Sequence, residues 1–414
     1  MKIKRFLALL LSAAMLLALL AGVSSCGVPK VMANELTAGL GSQYVNGKEP
    51  DEAFGKAALD FSLSLFKKNA EKSGENMLIS PLSVMIALSL AANGAAGETL
   101  AEIESVLGLT KEELNAYLYT YASSFPNKEE CKLQTANSVW LRKDAIEVNK
   151  PFLQNAADYY SAEVYSVAFD SATLDDINAW VNLKTEGLIK KALNKIEPGT
   201  LFYLINTVLF DAEWASAYTK NSVRSGSFVN IHGEEKNVKF MKDYDKCFFG
   251  EEEKTLVKFY SGGDYAFIGV LPESGDVYGY IETLTAEKFE SFFDFGEVSY
   301  AEVYLPKFEY EYSTEMKDIL ASMGIEKAFE ANADFSAMSG DYPGELFIQG
   351  VKHNTFISVD ELGTKAGAVT VISGGCGGMP PTEEIYFDRP FVYFIVDTET
   401  KMPVFAGVAA DIGK

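Results

Sequence analysis

Residues 351–391 read VKHNTFISVDELGTKAGAVTVISGGCGGMPPTEEIYFDRPF. Two runs with strand character, Leu346–Val359 and Phe391–Val396, bracket a stretch rich in glycine and small side chains. Compact domains rarely carry an exposed connection of that length unless it has a function. The expectation is that this loop is the working part of the molecule.

Outward from the loop, the rest of the chain reads as a mixture. Phe61, Leu63, Leu65 and Phe66 open a helical pattern that ends near Lys72-Ser73-Gly74. Pro81–Ala92 is an apolar helix with Ser80 as its cap and Pro81 in its first turn. Gly94 ends it, and Glu98–Leu107 forms the next helix. Ala136–Leu141 reads as a buried strand, and Asp176–Leu193 has helical spacing. Leu201–Phe210 is nearly all apolar except Asn206, as expected of a strand covered on both faces. Strand patterns follow over Ser227–Phe249, Leu256–Tyr260, Tyr265–Leu271 and Ala301–Tyr310, then a helix over Thr314–Met323 and a last strand over Val404–Ala409. Early helices and a strand-rich second half give an α+β class. No repeat or low-complexity linker divides residues 51–414, so one large domain is expected.

Composition narrows the function. With 28 Phe, 21 Tyr and 3 Trp in a chain 48% hydrophobic, the body has material for a packed core. Asp and Glu outnumber Lys and Arg, 58 to 36, for a formal charge of −22. Such a field repels phosphate backbones, so no nucleic-acid partner is expected. His232 and His353 belong to no HExxH-type pair, and no metal or other cofactor is implied. The thiols Cys131, Cys247 and Cys376 match no structural framework, and one disulfide among them stays open. No nucleophile elbow, phosphate loop or dinucleotide fingerprint is present. Cys376, flanked by Gly374, Gly375, Gly377 and Gly378, lacks the rigid support a nucleophilic thiol needs. The chain is not expected to be an enzyme.

At the N-terminus, Lys2, Lys4 and Arg5 precede an apolar run from Phe6 to Val23, then Ser24, Ser25 and Cys26. This is the layout of an export signal over residues 1–25. Its Val-Ser-Ser-Cys end resembles a bacterial lipoprotein processing site, in which Cys26 would be lipidated and tether the body to the outer surface of a membrane through residues 26–50. An uncleaved anchor and plain secretion are the alternatives.

Five segments, in order, carry a resemblance: NMLISPLSVMIALSLAANGAAGET (Asn76–Thr99), NTVLFDAEW (Asn206–Trp214), LPKF (Leu305–Phe308), DRPF (Asp388–Phe391) and FAG (Phe405–Gly407). Across residues 51–414 the sequence resembles the serpins, large protease inhibitors that trap a target by inserting a cleaved loop into a sheet. The resemblance implies a single domain with a main sheet, further sheets and a reactive loop at about 363–381. It places Ser80, Ser83, Asn206 and His353 in a polar cluster where the main sheet opens. Trp214, Lys307 and Glu361 would stand where the loop first enters.

Glu361–Thr370 (ELGTKAGAVT) resembles the hinge of inhibitory members, with Glu361, Gly363, Thr364, Ala366, Ala368 and Thr370 in matching places. A strand sends successive side chains to opposite faces. Thr364, Ala366, Ala368 and Thr370 then share one face and are all small, while Lys365, Gly367, Val369 and Val371 take the other. Leu362 and Lys365 replace acidic residues of the pattern, and Gly367 and Val369 interrupt its alanine run. Counting the family's loop forward from Gly363 puts the scissile bond after Gly377, and counting back from Pro390 puts it after Met379. The bait stretch is therefore Cys376, Gly377, Gly378, Met379 and Pro380. Its lack of charge suits an elastase-like or subtilisin-like serine protease, or a papain-like cysteine protease, better than a trypsin-like one. The alternative is a non-inhibitory relative acting as a surface binding or adhesion module. A monomer is expected either way.

Overall fold

The computed structural model describes residues 30–41, 43–143, 145–293, 299–340, 346–364 and 383–413. Helices crowd the first half. The Asp51 carboxylate accepts the N–H groups of Ala53 and Phe54 to start α1 (Glu52–Ala70). Ser80 caps α2 (Pro81–Ala92) by accepting from the Ser83 N–H, and every residue of α2 is buried. α3 (Gly97–Leu107), α4 (Lys111–Ser123), α5 (Lys150–Tyr160) and α6 (Ser171–Lys184) follow, with the short α7 (Val277–Thr283), α8 (Ala286–Ser291) and α9 (Lys317–Met323) later. The helical reading of Asp176–Leu193 holds only to Lys184. Glu186 (φ 51°) and Gly187 (φ 86°) turn the chain left-handed there, and Ile189 and Leu193 reach the same core from irregular chain.

Among the described residues the strands form two sheets. The main sheet runs β1 (Asn34–Glu35), β4 (Glu163–Val167), β3 (Cys131–Arg142), β5 (Phe202–Glu213), β13 (Gly363–Thr364), β12 (Gly350–Val359), β11 (Phe308–Glu315). The second runs β14 (Glu384–Tyr386), β10 (Ser299–Pro306), β7 (Glu235–Phe249), β8 (Glu253–Phe259), β9 (Tyr265–Pro272), β15 (Phe391–Asp397), β16 (Pro403–Ala409), β2 (Met77–Ile79), with β6 (Val223–Val229) on β7. The single alternating strand read over Ala301–Tyr310 is two strands. Lys307 falls between β10 and β11, which belong to different sheets.

The main sheet has a different core on each face. Leu204, Val208, Phe210 and Ala212 of β5 enter the large core shared with the second sheet, α1 and α2. Tyr203 and Ile205 enter a smaller cluster with Trp140 and, from α6, Ile177 and Trp180. Parts of residues 32–41 and 43–50 touch the body. β1 extends the main sheet antiparallel to β4, the Met32 N–H bonds Asp176, and the Lys48 N–H bonds the Ala116 carbonyl. No described helix is long and apolar enough to cross a membrane.

Candidate functional site: the seam of the main sheet

β5 and β12 meet in two different ways. At one end, Tyr203–Asn206 pair in parallel with Gly350–His353. At the other, Gly363 and Thr364 lie between the two strands and run antiparallel to both. Gly363 stands opposite Glu213, and Thr364 stands opposite Ala212 on one side and Val359 on the other. Between these ends, no ladder pair joins residues 207–211 to residues 354–358 among the described residues. Asn206 to Ala212 and His353 to Val359 are the same number of residues, so a strand continuing behind Thr364 keeps one register with both walls.

The mouth of the seam is held by side chains from several elements. Trp214 donates its main-chain N–H to the Leu362 carbonyl at 2.8 Å and its indole N–H to the Asp360 carbonyl at 2.9 Å. The Tyr218 N–H bonds the Glu361 carbonyl at 2.9 Å. Trp214 stacks on Tyr260 with ring centroids 4.5 Å apart, and the Tyr260 hydroxyl meets the Thr364 hydroxyl at 2.5 Å. Lys307 forms an ion pair with Glu361. Burial works against the charged Glu361 carboxylate, but the hydrogen bond and charge of Lys307 outweigh it and hold the group below the usual range. Beneath the mouth, Lys258 is buried between Asp243 and Asp245, with its ammonium 4.2 Å from the Tyr218 ring centroid.

Gly363 is required here by space. A Cβ added to it would lie 2.0 Å from the Ala212 carbonyl oxygen. Thr364 is buried and shares the core face with its partners Ala212 and Val359. That is the face on which the alternation of the loop puts its small residues.

At the closed end the four polar residues come together. The Ser80 N–H donates to His353 Nε2 at 2.9 Å, Ser80 Oγ accepts from the Ser83 N–H, and His353 is the ladder partner of Asn206. All four are buried. Burial pushes the His353 imidazole down to about 4, so the ring is neutral. Ser83 Oγ and Asn206 Oδ1 have no hydrogen-bond partner among the described residues. A buried polar cluster with spare acceptors is the kind of group that can take on new partners when the seam changes.

Of the residues read from the sequence, the structure assembles Ser80, Ser83, Asn206 and His353 at the closed end, and Trp214, Lys307, Glu361, Gly363 and Thr364 at the mouth. Ala366, Ala368, Thr370, Cys376, Gly377, Gly378, Met379, Pro380 and Cys26 lie outside the described residues. Cys131 and Cys247 are both free and buried, so they do not pair with each other. Sequence reading missed Asn137, whose Oδ1 accepts from Asn206 Nδ2 at 2.6 Å. It also missed Tyr260, Tyr218 and Asp360. For Asn137 a signal existed: a carboxamide inside a strand read as buried needs a partner, and Asn206 is the carboxamide of another such strand.

The serpin family, described as "Serpin (serine protease inhibitor)", matches residues 56–412. The chain therefore belongs to the serpins, a family of protease inhibitors that are not themselves catalysts. Serpin B6 of Macaca fascicularis is 32% identical over 84% of this chain and 96% of that protein. The crystal structure of the thermophilic serpin tengpin in its native state superposes with a TM-score of 0.87, at 42% identity, over 92% of this chain and all of that one. Tengpin in its latent state gives 0.78 over 88% of this chain and all of that one.

Proposed function

We propose that the chain is an irreversible, suicide-substrate inhibitor of an elastase-like or subtilisin-like serine protease. The observation that carries this reading is the seating of Gly363 and Thr364 as the first rungs of a strand between β5 and β12. Continued in the same register, Lys365 falls opposite Asp211 on the outer face. Ala366 falls opposite Phe210 and Ile357, Ala368 opposite Val208 and Thr355, and Thr370 opposite Asn206 and His353. The small residues then meet the core wall, the single charge stands next to a carboxylate, and Thr370 arrives where unpaired polar atoms wait. Gly374 reaches Phe202, the end of β5, just before the candidate bonds after Gly377 and Met379.

The target's own nucleophile attacks the bait and forms an acyl-enzyme. Cleavage frees the N-terminal side of the loop, which enters the seam and replaces one β5–β12 ladder with two. At about 1 kcal/mol net per hydrogen bond, a full-length strand supplies on the order of 10 kcal/mol before packing. That release draws the acylated protease along the body before hydrolysis finishes. The body is proposed to be held outside a bacterial membrane by lipid on Cys26.

Titration with elastase-like, subtilisin-like and papain-like proteases, read on denaturing gels with mass analysis of the released C-terminal peptide, tests the reading. A protease-linked band with a peptide starting at Gly378 or Pro380 is expected. Cleavage without such a band for every protease would overturn inhibition and favour a non-inhibitory binding or adhesion module. Recovery in the detergent-soluble membrane fraction, lost in Cys26→Ala, tests the anchor.

A further inference from the structure

The far end of the seam is closed by a side chain as well as by main-chain pairing. The parallel ladder between β5 and β12 stops at Tyr203 and Gly350. One residue further out, the Gln349 carboxamide reaches across to the chain that enters β5. Its Oε1 accepts the Leu201 N–H and, at 3.3 Å, the Phe202 N–H. Its Nε2 donates to the Gly199 carbonyl at 3.0 Å. Both lone pairs of the oxygen and one amide hydrogen are thereby used.

The two sides of this bridge are fixed to different parts of the sheet. On one side, Arg142 of β3 donates its Nε to the Thr200 carbonyl at 2.7 Å and its main-chain N–H to the Leu201 carbonyl at 2.9 Å. On the other, the Ile348 N–H bonds the Ala328 carbonyl at 2.8 Å, and the Val351 N–H bonds Oε1 of Glu315, in β11, at 2.7 Å. When β5 parts from β12, residues 199–202 are held to β3 and residues 348–351 to Ala328 and β11. The bonds at Gln349 are the ones that must break.

We propose that Gln349 is a positioning residue for strand insertion, a latch that holds Phe202 in the intact chain and releases it to the entering strand. This rests on the insertion reading above. In the register set by Thr364, Gly374 falls between Phe202 and Gln349. The Phe202 N–H points into the seam, where a strand at that place offers it a main-chain carbonyl. Two acceptors compete for one donor, so the last rung forms only as Gln349 lets go. A strand between the walls also moves them from about 4.8 Å to about 9.6 Å apart, beyond the reach of the carboxamide. Leu201 then loses its acceptor for good, while Phe202 exchanges one for another. Gln349 thus stabilises the closed seam and contributes nothing to the filled one, which places it on the barrier to insertion.

The test compares the full chain with Gln349→Ala, each intact and each cleaved in the loop by subtilisin. The mass of the released peptide identifies chains cut beyond Gly374, and hydrogen exchange is resolved to single amides. In the intact variant, Leu201 and Phe202 should exchange roughly tenfold or more faster than in the unaltered chain. After cleavage, Phe202 should be equally protected in both proteins. In the unaltered chain, cleavage should speed Leu201 exchange by a similar factor while Phe202 stays slow, an arm that needs no variant. A merely structural role would speed Phe202 in the cleaved variant as much as in the intact one. Main-chain groups alternate in direction along a strand, so the N–H groups of Val208 and Phe210 point into the seam as that of Phe202 does. If these two gain no protection on cleavage, the insertion reading fails and the latch with it. If they do, but Leu201 keeps its protection in the cleaved unaltered chain or Phe202 stays fast in the cleaved variant, the latch alone is overturned.

Discussion

At the Phe202 end of the seam, β5 and β12 pair directly, and His353, Ser80 and Asn206 lie buried beside the junction. At the Glu213 end the same two strands are separated by Gly363 and Thr364, which are held by Trp214, Tyr218, Tyr260 and Lys307. The first end is closed by main-chain pairing between the strands themselves. The second is wedged open by the start of a third strand and fixed by side chains from outside the main sheet. In the proposed insertion, a strand advancing from the mouth would lose the rungs at the closed end but make a ladder with each wall. On that proposal the closed end is a barrier to insertion more than an anchor, and the mouth sets direction and register.

The largest expected effect comes from putting charge where the register needs a small core residue. Thr364→Arg would bury an unpaired guanidinium on the core face, at a cost of about 3–5 kcal/mol. Denaturing gels should then show cleaved chain in place of protease-linked chain. Next comes Gly363→Val, whose side chain would collide with the Ala212 carbonyl. Overpacking of that kind costs about 1–3 kcal/mol, and hydrogen exchange should find the Trp214 amide, now bonded to Leu362, losing protection. Protection unchanged in this variant would mean that the first rungs do not depend on that close approach.

The closed end responds to pH. Burial lowers the native His353 to about 4, against about 6.5 for an unfolded histidine. The native state binds the proton less well, so this contribution is full above about pH 6.5 and is lost as pH falls toward 4. Between pH 7 and pH 5, denaturant titration should show the native chain losing about 1–2 kcal/mol more than His353→Gln. Equal losses would show that the imidazole is not the group titrating. Lys307→Ala is expected to cost least, under about 1 kcal/mol, because the Lys307–Glu361 pair is partly exposed; thermal melts should move by only a few degrees.

What could be read in advance follows from how local each signal is. The cap and first turn of α2 are written in Ser80 and Pro81, and β5 in the nearly apolar run Leu201–Phe210. The end of α6 was not legible, since Leu188, Ile189 and Leu193 continue the helical spacing while the left-handed turn at Glu186 and Gly187 interrupts it. The split at Lys307 was hidden because strand alternation runs through it, and only the two-sheet architecture separates β10 from β11. At the site, residues within family motifs were found together. Tyr260 and Asn137 were missed because their roles exist only across strands: one meets Thr364, the other Asn206.

Hydrogen exchange with mass spectrometry, on the intact chain and on the chain cleaved within the loop, decides whether the loop enters the seam. Residues 207–211 of β5 and 354–358 of β12 have no ladder pairing with each other among the described residues. After cleavage, the amides of these two segments that point into the seam should become protected by roughly a thousandfold or more, as expected of strands central to a sheet, with a rise in melting temperature. Unchanged exchange in both segments, with an unchanged melting temperature, would contradict insertion between β5 and β12 and with it the inhibitory mechanism.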